Sequence, residues 1–506
     1  MRSNKNAYRI FLLISFIGVN AAILFGIGAV FSYLNTGADR STMLRLEQVS
    51  NETYVPSFTW ENIYSKGRQI TDQKLKELTT DYKRSWFVKN TAFRENKMLG
   101  IHDYFTDSSA IKIKRIIDLN TKNKVHTQST TLDHTASMEF MSVDGKLAVF
   151  TDAVTSYHQT FKNDSLVFEQ RSKDKYRIIA LLEDGFWRVR HQIGLPSNTV
   201  TSGEIVAHNI APNLSNIRGV NYYPKKTPWN MFGENFDSLA ITRDFKIIKN
   251  MGLNMTRVFI PYTSFGKNRV DLVKLQQVAT LLDLAQTSNL KVMITLFDFY
   301  GDYDIHSWTQ THRHAETIIT SLKNHPALLG WDIKNEPDLD FKSRKKYRVK
   351  AWLKEMITQI HQWDSLHPVT IGWSSTSAAK NLAQEVDLVS FHYYDKPSEL
   401  EQQYSELKAN VPGNKQLFLQ EYGVTSYNGI WKLFQGGATN QAAYYKDIQT
   451  FIAAKNIPFA FWTLYDFEEI PTEIVGYLPW RKVPQKRYGI IDENGAKKLS
   501  FDALTK

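Results

Sequence analysis

The chain has 506 residues and no cysteine, which removes disulfides, thiolate catalysis and cysteine-ligated metals at once. It leaves the compartment open. Also missing is a glycine-rich loop after the first strand of its alternating half, where a nucleotide-binding open sheet would need one to cradle phosphate. Acid is the scarcer charge: 51 Asp and Glu stand against 62 Lys and Arg, a formal net charge of +11. Such a balance suits an anionic partner, whether nucleic acid, membrane lipid or acidic polysaccharide. Nucleic acid is set aside, because the basic residues are spread along the whole chain. The densest run, Lys342, Arg344, Lys345, Lys346 and Arg348, reads as the solvated face of a helix.

What is present begins with an apolar run. Residues 10–34 carry no charge, and a membrane-spanning helix needs about 20 such residues. A cleaved signal peptide has a shorter apolar core of about 7 to 15 residues and a small-residue cleavage site. We therefore expect an N-terminal transmembrane anchor within residues 1–45. Arg2, Lys5 and Arg9 precede the run, which favours a cytoplasmic N-terminus and a catalytic part on the non-cytoplasmic side.

Residues 51–194 form the next unit, expected to be α+β. Lys74, Leu75, Leu78 and Tyr82 suggest an early helix. Val143-Asp144-Gly145-Lys146 and Glu183-Asp184-Gly185 place Asp-Gly between apolar or alternating flanks, a short-range hairpin signal. Helices followed by a hairpin sheet that closes on LLEDGFWRVRHQIG loosely resemble the nuclear-transport-factor-2-like fold. Members of that class are enzymes or plain spacers. His102, Asp103, His134 and His191 offer the makings of a polar pocket, while a spacer or glycan-binding adaptor is the plainer reading. A linker is expected over residues 195–216.

From Ile217 the pattern alternates strand and helix. Candidate strands are Ile217 to Asn221, Met255 to Ile260, Lys291 to Phe297, Leu328 to Ile333, Val369 to Trp373, Val386 to His392, Gln416 to Glu421 and Pro458 to Leu464. Between them, Val278, Leu281, Leu282 and Ala285, and later Val349, Trp352, Leu353, Met356, Ile357 and Ile360, recur at helical spacing. Eight such units over residues 217–506 predict a (β/α)8 barrel, the fifth unit being short. The fold class is α/β, with a smaller α+β domain and a membrane helix before the barrel.

In such a barrel the C-terminal strand ends share one face, where active sites are built. Read strand by strand, those ends carry Tyr222 and Tyr223, Arg257, Asp298, Asn335 and Glu336, His392 to Tyr394, Glu421, and Trp462. Pro337 bars helical continuation and biases Glu336 towards extended backbone. Two glutamates on the fourth and seventh strands face each other across the mouth, as cleavage of a glycosidic bond requires of its two carboxyl groups. Trp462 supplies a flat apolar surface for a pyranose.

Five motifs then bear a specific resemblance to glycoside hydrolase family 5: IRGVNYYP, MGLNMTRVFIPY, WDIKNEPD, VSFHYYD with LQEYG, and FWTLYDF, followed by YGIIDENG, which is similar to the family's closing segment. The resemblance implies that Glu336 is the acid/base, Glu421 the nucleophile and Asn335 the contact to the substrate 2-hydroxyl. It further implies that Arg257 and Tyr394 orient the nucleophile, His392 partners the acid/base and Trp462 is the sugar platform. Where the family commonly has a histidine after the third strand, this chain has Phe297-Asp298-Phe299, so Asp298 is the candidate sugar contact there. The implied enzyme is a retaining, cellulase- or mannanase-like β-glycosidase acting on a β-linked polysaccharide or oligosaccharide, with no cofactor. His306, His312 and His314 with Asp302 and Asp304 lack a regular ligand spacing, and no metal is assigned to them. An inactive carbohydrate-binding or assembly protein and a transglycosylase are the alternatives. Oligomeric state is not legible.

Overall fold

The computed structural model describes residues 5–36, 53–64, 66–196, 214–434 and 436–505. The chain divides into two compact units, one of Met1–Asn51, Phe58–Ser129 and His134–Ser197, the other of Glu52–Ser57, Thr130–Asp133 and Asn198–Lys506. The linker expected over residues 195–216 lies almost wholly outside the described residues.

The first unit opens with helix α1 (Lys5–Thr36). Among the described residues no helix is long and apolar enough to cross a membrane. The expected spanning helix thus finds a helix in the structure, but no support for the crossing itself.

Beyond it, helices α2 (Asp72–Glu95) and α3 (Asp107–Asn123) accompany a sheet. Its strands are β1 (Ser57–Asn62), β2 (Lys66–Gly67), β3 (Val125–Met141), β4 (Leu147–Lys162), β5 (Ser165–Glu183) and β6 (Phe186–Gly194), in the order β1-β3-β4-β5-β6 with β2 beside β3. The Asp-Gly signals turn β3 into β4 and β5 into β6, the second with Asp184 and Gly185 both at positive φ. Thr71 caps α2 by accepting from the Lys74 amide. The four polar residues singled out above do not have one environment. His134 is fully buried, 2.7 Å from Asp152, whose same oxygen takes the Tyr82 hydroxyl at 2.8 Å. His102 is exposed, 3.8 Å from Asp107.

The second unit holds the eight expected strands. They are β7 (Arg218–Asn221), β8 (Met255–Pro261), β9 (Lys291–Asp298), β10 (Leu328–Asn335), β11 (Val369–Gly372), β12 (Leu388–Tyr393), β13 (Gln416–Tyr422) and β14 (Phe459–Phe461). The order β11-β10-β9-β8-β7-β14-β13-β12 is parallel wherever a pairing is defined, and a parallel bridge from Trp373 to Phe391 joins its two ends into a closed barrel. Helices α4 (Ser238–Asn250), α5 (Leu272–Thr287), α6 (Trp308–Leu322) and α7 (Lys346–Trp363) follow the first four strands. The fifth is followed only by a short turn at Ala378–Lys380, and α8 (Pro397–Asn410) and α9 (Ala438–Lys455) follow the next two. Each helix buries its apolar stripe. On α5 that stripe is Leu275, Val278, Leu281, Leu282 and Ala285, each large aliphatic contributing about 1.5 to 3 kcal/mol by leaving water.

The barrel interior is layered by the two-residue period of its strands. Met255, Met293, Leu388, Phe418 and Ala460, near the strand starts, form one apolar cluster. Two residues further on along the same strands stand Arg257, Thr295, Ser390, Gln420 and Trp462. The change from apolar to polar at one step is what turns the floor of the barrel into the base of a site.

Candidate active site

The polar layer is organised by Arg257, whose side chain is fully buried. Its Nη1 donates to Glu421 Oε1 at 2.5 Å and to Asn221 Oδ1 at 3.0 Å, and its Nη2 to Asp332 Oδ2 at 2.6 Å and to Asn335 Oδ1 at 2.9 Å. Nε reaches Asp332 Oδ2 at 3.1 Å and Thr295 Oγ1 at 3.0 Å. A guanidinium in this position satisfies its donors against two carboxylates and three neutral groups, the condition under which a buried charge is tolerated. Asp332 is fixed in turn by the Thr295 hydroxyl at 2.7 Å and the Gly372 amide at 2.9 Å.

Both oxygens of Glu421 are therefore held. Arg257 takes Oε1, and the Tyr394 hydroxyl donates to Oε2 at 2.7 Å. Burial, followed by the charges of Glu421 and Glu336, pushes the Tyr394 phenol well above its ordinary value, so it remains a donor.

Glu336 lies at the end of β10, but not in the extended backbone that the following proline favours. It sits in the left-handed region at φ 46 and ψ 52. The reason is a sharp change of direction: the Glu336 amide still donates to Gly372 O at 2.7 Å, in register with β11, while Pro337 starts a 3-10 turn to Asp340. His392 Nδ1 lies 2.9 Å from Glu336 Oε1 and 3.5 Å from Glu421 Oε2. Burial alone would raise the Glu336 carboxyl, but the hydrogen bond and charge of His392 outweigh it and hold the group below its ordinary value. The imidazole moves the other way. Burial works against its charge, yet the charge of Glu421 and the bond and charge of Glu336 raise it. The pair behaves as a store for one proton.

Among the described residues, Glu336, His392 and Glu421 are the one group of three acid or imidazole side chains whose ligating atoms all lie within 4.8 Å of one another. Carboxyl groups about 5 to 5.5 Å apart suit a covalent glycosyl-enzyme, whereas about 6.5 to 9.5 Å leaves room for an inverting water.

A family model described as Cellulase (glycosyl hydrolase family 5) matches residues 215–468, half of the chain. The chain belongs to glycosyl hydrolase family 5. Beyond the family 5 match, the chain is similar to the beta-glucuronidase of Homo sapiens, at 26% identity over 162 residues, 32% of this chain and 23% of that protein. It thus spans about a quarter of the length of the curated relatives it matches. Among solved structures, an exo-beta-1,4-mannosidase from Opitutaceae bacterium strain TAV5 is 19% identical with a TM-score of 0.48, covering 56% of this chain and 57% of that one. A GH5_18 protein from Streptomyces cattleya in complex with Manb1-4GlcNAc is 15% identical with a TM-score of 0.47, covering 56% and 78%.

The other residues expected of a family 5 site fall as follows. Trp462 is half-buried at the end of β14, its peptide to Thr463 cis, and its ring lies 6.0 Å from Tyr223 and 6.3 Å from both Phe259 and Trp229. Asp298 ends β9 and is buried, with the Tyr223 hydroxyl 3.5 Å from Oδ2. Burial raises its carboxyl to about 7, against the pull of Lys334 and Arg257. Two of the histidines that follow β9 lie in α6 and serve packing: His312 Nδ1 bonds to Trp308 O at 2.7 Å, and His314 Nδ1 to Lys267 O at 2.8 Å. Sequence reading missed Asp332, Thr295, Asn221 and Trp229. Asp332 was detectable as an acid in the middle of an apolar strand, four residues before Glu336. Trp229 was not, since nothing in its loop signals that it folds onto Trp462.

Proposed function

We propose that the barrel is a retaining β-glycosidase working by double displacement on a β-linked polysaccharide or oligosaccharide. The observation that carries this is the approach of carboxyl oxygens of Glu336 and Glu421 to within 4.8 Å, Glu421 bonded to the Arg257 guanidinium and Glu336 to the His392 imidazole. Glu421 is held at both oxygens by Arg257 and Tyr394 and so aimed, as a nucleophile must be. Glu336, which shares a proton with His392, is placed to protonate the leaving oxygen and then to take a proton from the incoming water. Asn335 gives its oxygen to Arg257, which leaves its amide protons for a substrate hydroxyl. Trp462, backed by Tyr223 and Trp229, is the platform for the sugar ring, and Asp298 is the polar contact on the glycone. That curated relatives are named beta-glucuronidase supports the β configuration.

The test is proton NMR of the first-formed product from aryl β-glycosides and β-linked oligosaccharides. Retention is expected, and an inverted anomer would remove Glu421 as nucleophile. Glu421→Ala should abolish turnover. Glu336→Ala should lose about 10²- to 10⁴-fold on poor leaving groups and far less on good ones.

We further propose that α1 attaches the chain to a membrane, with the barrel on the non-cytoplasmic side. Its support is the uncharged run of residues 10–34 within one helix whose side chains from Phe11 to Phe25 are largely exposed. Deleting residues 1–45 should move the activity from the membrane to the soluble fraction. Full-length chain recovered free of membranes would contradict it.

A further inference from the structure

Two segments leave the active-site end of the barrel and are tied to each other. The first follows β13 and runs from Gly423 to α9; the second follows β14 and includes a helix at Pro479–Gln485. Thr425 Oγ1 donates to Pro484 O at 2.6 Å, the Ser426 amide donates to Arg487 O at 2.8 Å, and the Trp431 and Trp480 rings lie 6.0 Å apart. Tyr488, at the end of the second segment, meets the ring of Tyr394, which bonds the nucleophile, at 6.1 Å.

The outer side of this pair is apolar and exposed. Ile430, Trp431, Leu433 and Phe434 come from the first segment, with Leu433 75% and Phe434 69% accessible. Tyr477, Leu478 and Trp480 come from the second, Tyr477 at 88%. A soluble surface rarely gathers so many large apolar side chains without a partner. Within the two stretches the charge has one sign. Neither Val424 to Asn440 nor Gly476 to Gly489 contains an acid, while Lys432, Arg481, Lys482 and Lys486 fall within them; Arg487, also there, is paired with Asp466 and Glu493.

The composition selects the occupant. A glycan platform needs flat rings alone, and branched Ile430, Leu433 and Leu478 add nothing to stacking on a sugar. A second copy of a chain with net charge +11 would bring base against base. Aliphatic and aromatic side chains with lysine and arginine around them are what an anionic bilayer surface takes: apolar groups enter the acyl boundary and cations meet the headgroups. We propose that this face is a lipid-binding surface that sets the catalytic mouth of the barrel against an anionic bilayer. It is independent of α1, which lies at the other end of the chain.

The absence of cysteine makes the test site-specific. The full chain carrying Leu433→Cys, labelled with an environment-sensitive fluorophore, is reconstituted with vesicles of phosphatidylcholine alone or mixed with phosphatidylglycerol. Val143→Cys, an exposed position of the first unit, is the control. Expected at 433 is a blue shift and quenching by spin-labelled lipid in the anionic vesicles, with neither at 143. Adding Lys432→Glu and Arg481→Glu should weaken partition of the 433 face into the anionic vesicles by about 25-fold or more, at roughly fivefold per cation near an anionic surface. Aryl glycoside hydrolysis by the same variants reports that the barrel is folded. A 433 probe that stays as water-exposed as the control overturns the proposal. So does a blue shift produced without lipid, by oligosaccharide or by raised protein concentration, which would assign the face to a glycan or to a second copy.

Discussion

His392 stands between two carboxylates, and its raised affinity for a proton comes from both. On the proposed mechanism the proton destined for the glycosidic oxygen is held jointly by His392 and Glu336. It is lost when pH passes the raised imidazole value, so the basic limb of kcat/KM should lie above the ordinary histidine value of about 6.5. His392→Asn removes the cation that lowers Glu336, and the limb then reports Glu336 alone, within carboxylate range. A pH profile on a substrate with a poor leaving group should show the limb moved to lower pH; an unmoved limb would take His392 out of the proton store. Asp298 gives an opposite kind of pH dependence. Its carboxyl ionises near 7 when folded and near 4 when unfolded, so between those values only the folded chain holds the proton. Stability must fall as pH rises from about 4 to about 7, and above that the buried charge is carried at full cost. Asp298→Asn has no such term. The difference in Tm between variant and wild type should grow in favour of the variant across that window and then level off, which thermal unfolding at a series of pH values will show.

At the scale of strands, the site depends on an absence of side chain. A Cβ built on Gly372 would stand 2.6 Å from Gln420 Oε1, 2.9 Å from Arg257 Nη2 and 3.2 Å from His392 Nε2. Arg257 and Gln420 belong to the layer beneath the glutamates and His392 stands between them, in strands packed too closely to part. Gly372→Ala should therefore push Arg257 and His392 from their partners and lower kcat by about 10²-fold or more, since small displacements of catalytic groups are costly. Steady-state kinetics beside a Tm measurement separates this from mere unfolding. Elements of this kind mark where the sequence was readable. The eight strands announced themselves by apolar runs at regular spacing, and Glu336, Glu421, Arg257 and Tyr394 by lying at or within those runs. Glu336's backbone was misjudged because a rule about its neighbour Pro337 is local, whereas the conformation is set by a bond to Gly372 across the sheet. Asp332 and Asn221 went unseen for a like reason. What makes them part of the site is the guanidinium of another strand.

For the molecule as a whole, the conformation of Glu336 sets function against durability. Left-handed backbone costs a residue with a Cβ roughly 1 to 2 kcal/mol and glycine almost nothing. The same side chain places a carboxylate beside a second one. Glu336→Gly relieves both burdens, so the impaired chain should melt a few degrees above the active one, as calorimetry of the pair would establish. Selection for heat resistance with no assay of turnover would then draw this enzyme towards losing its proposed acid/base.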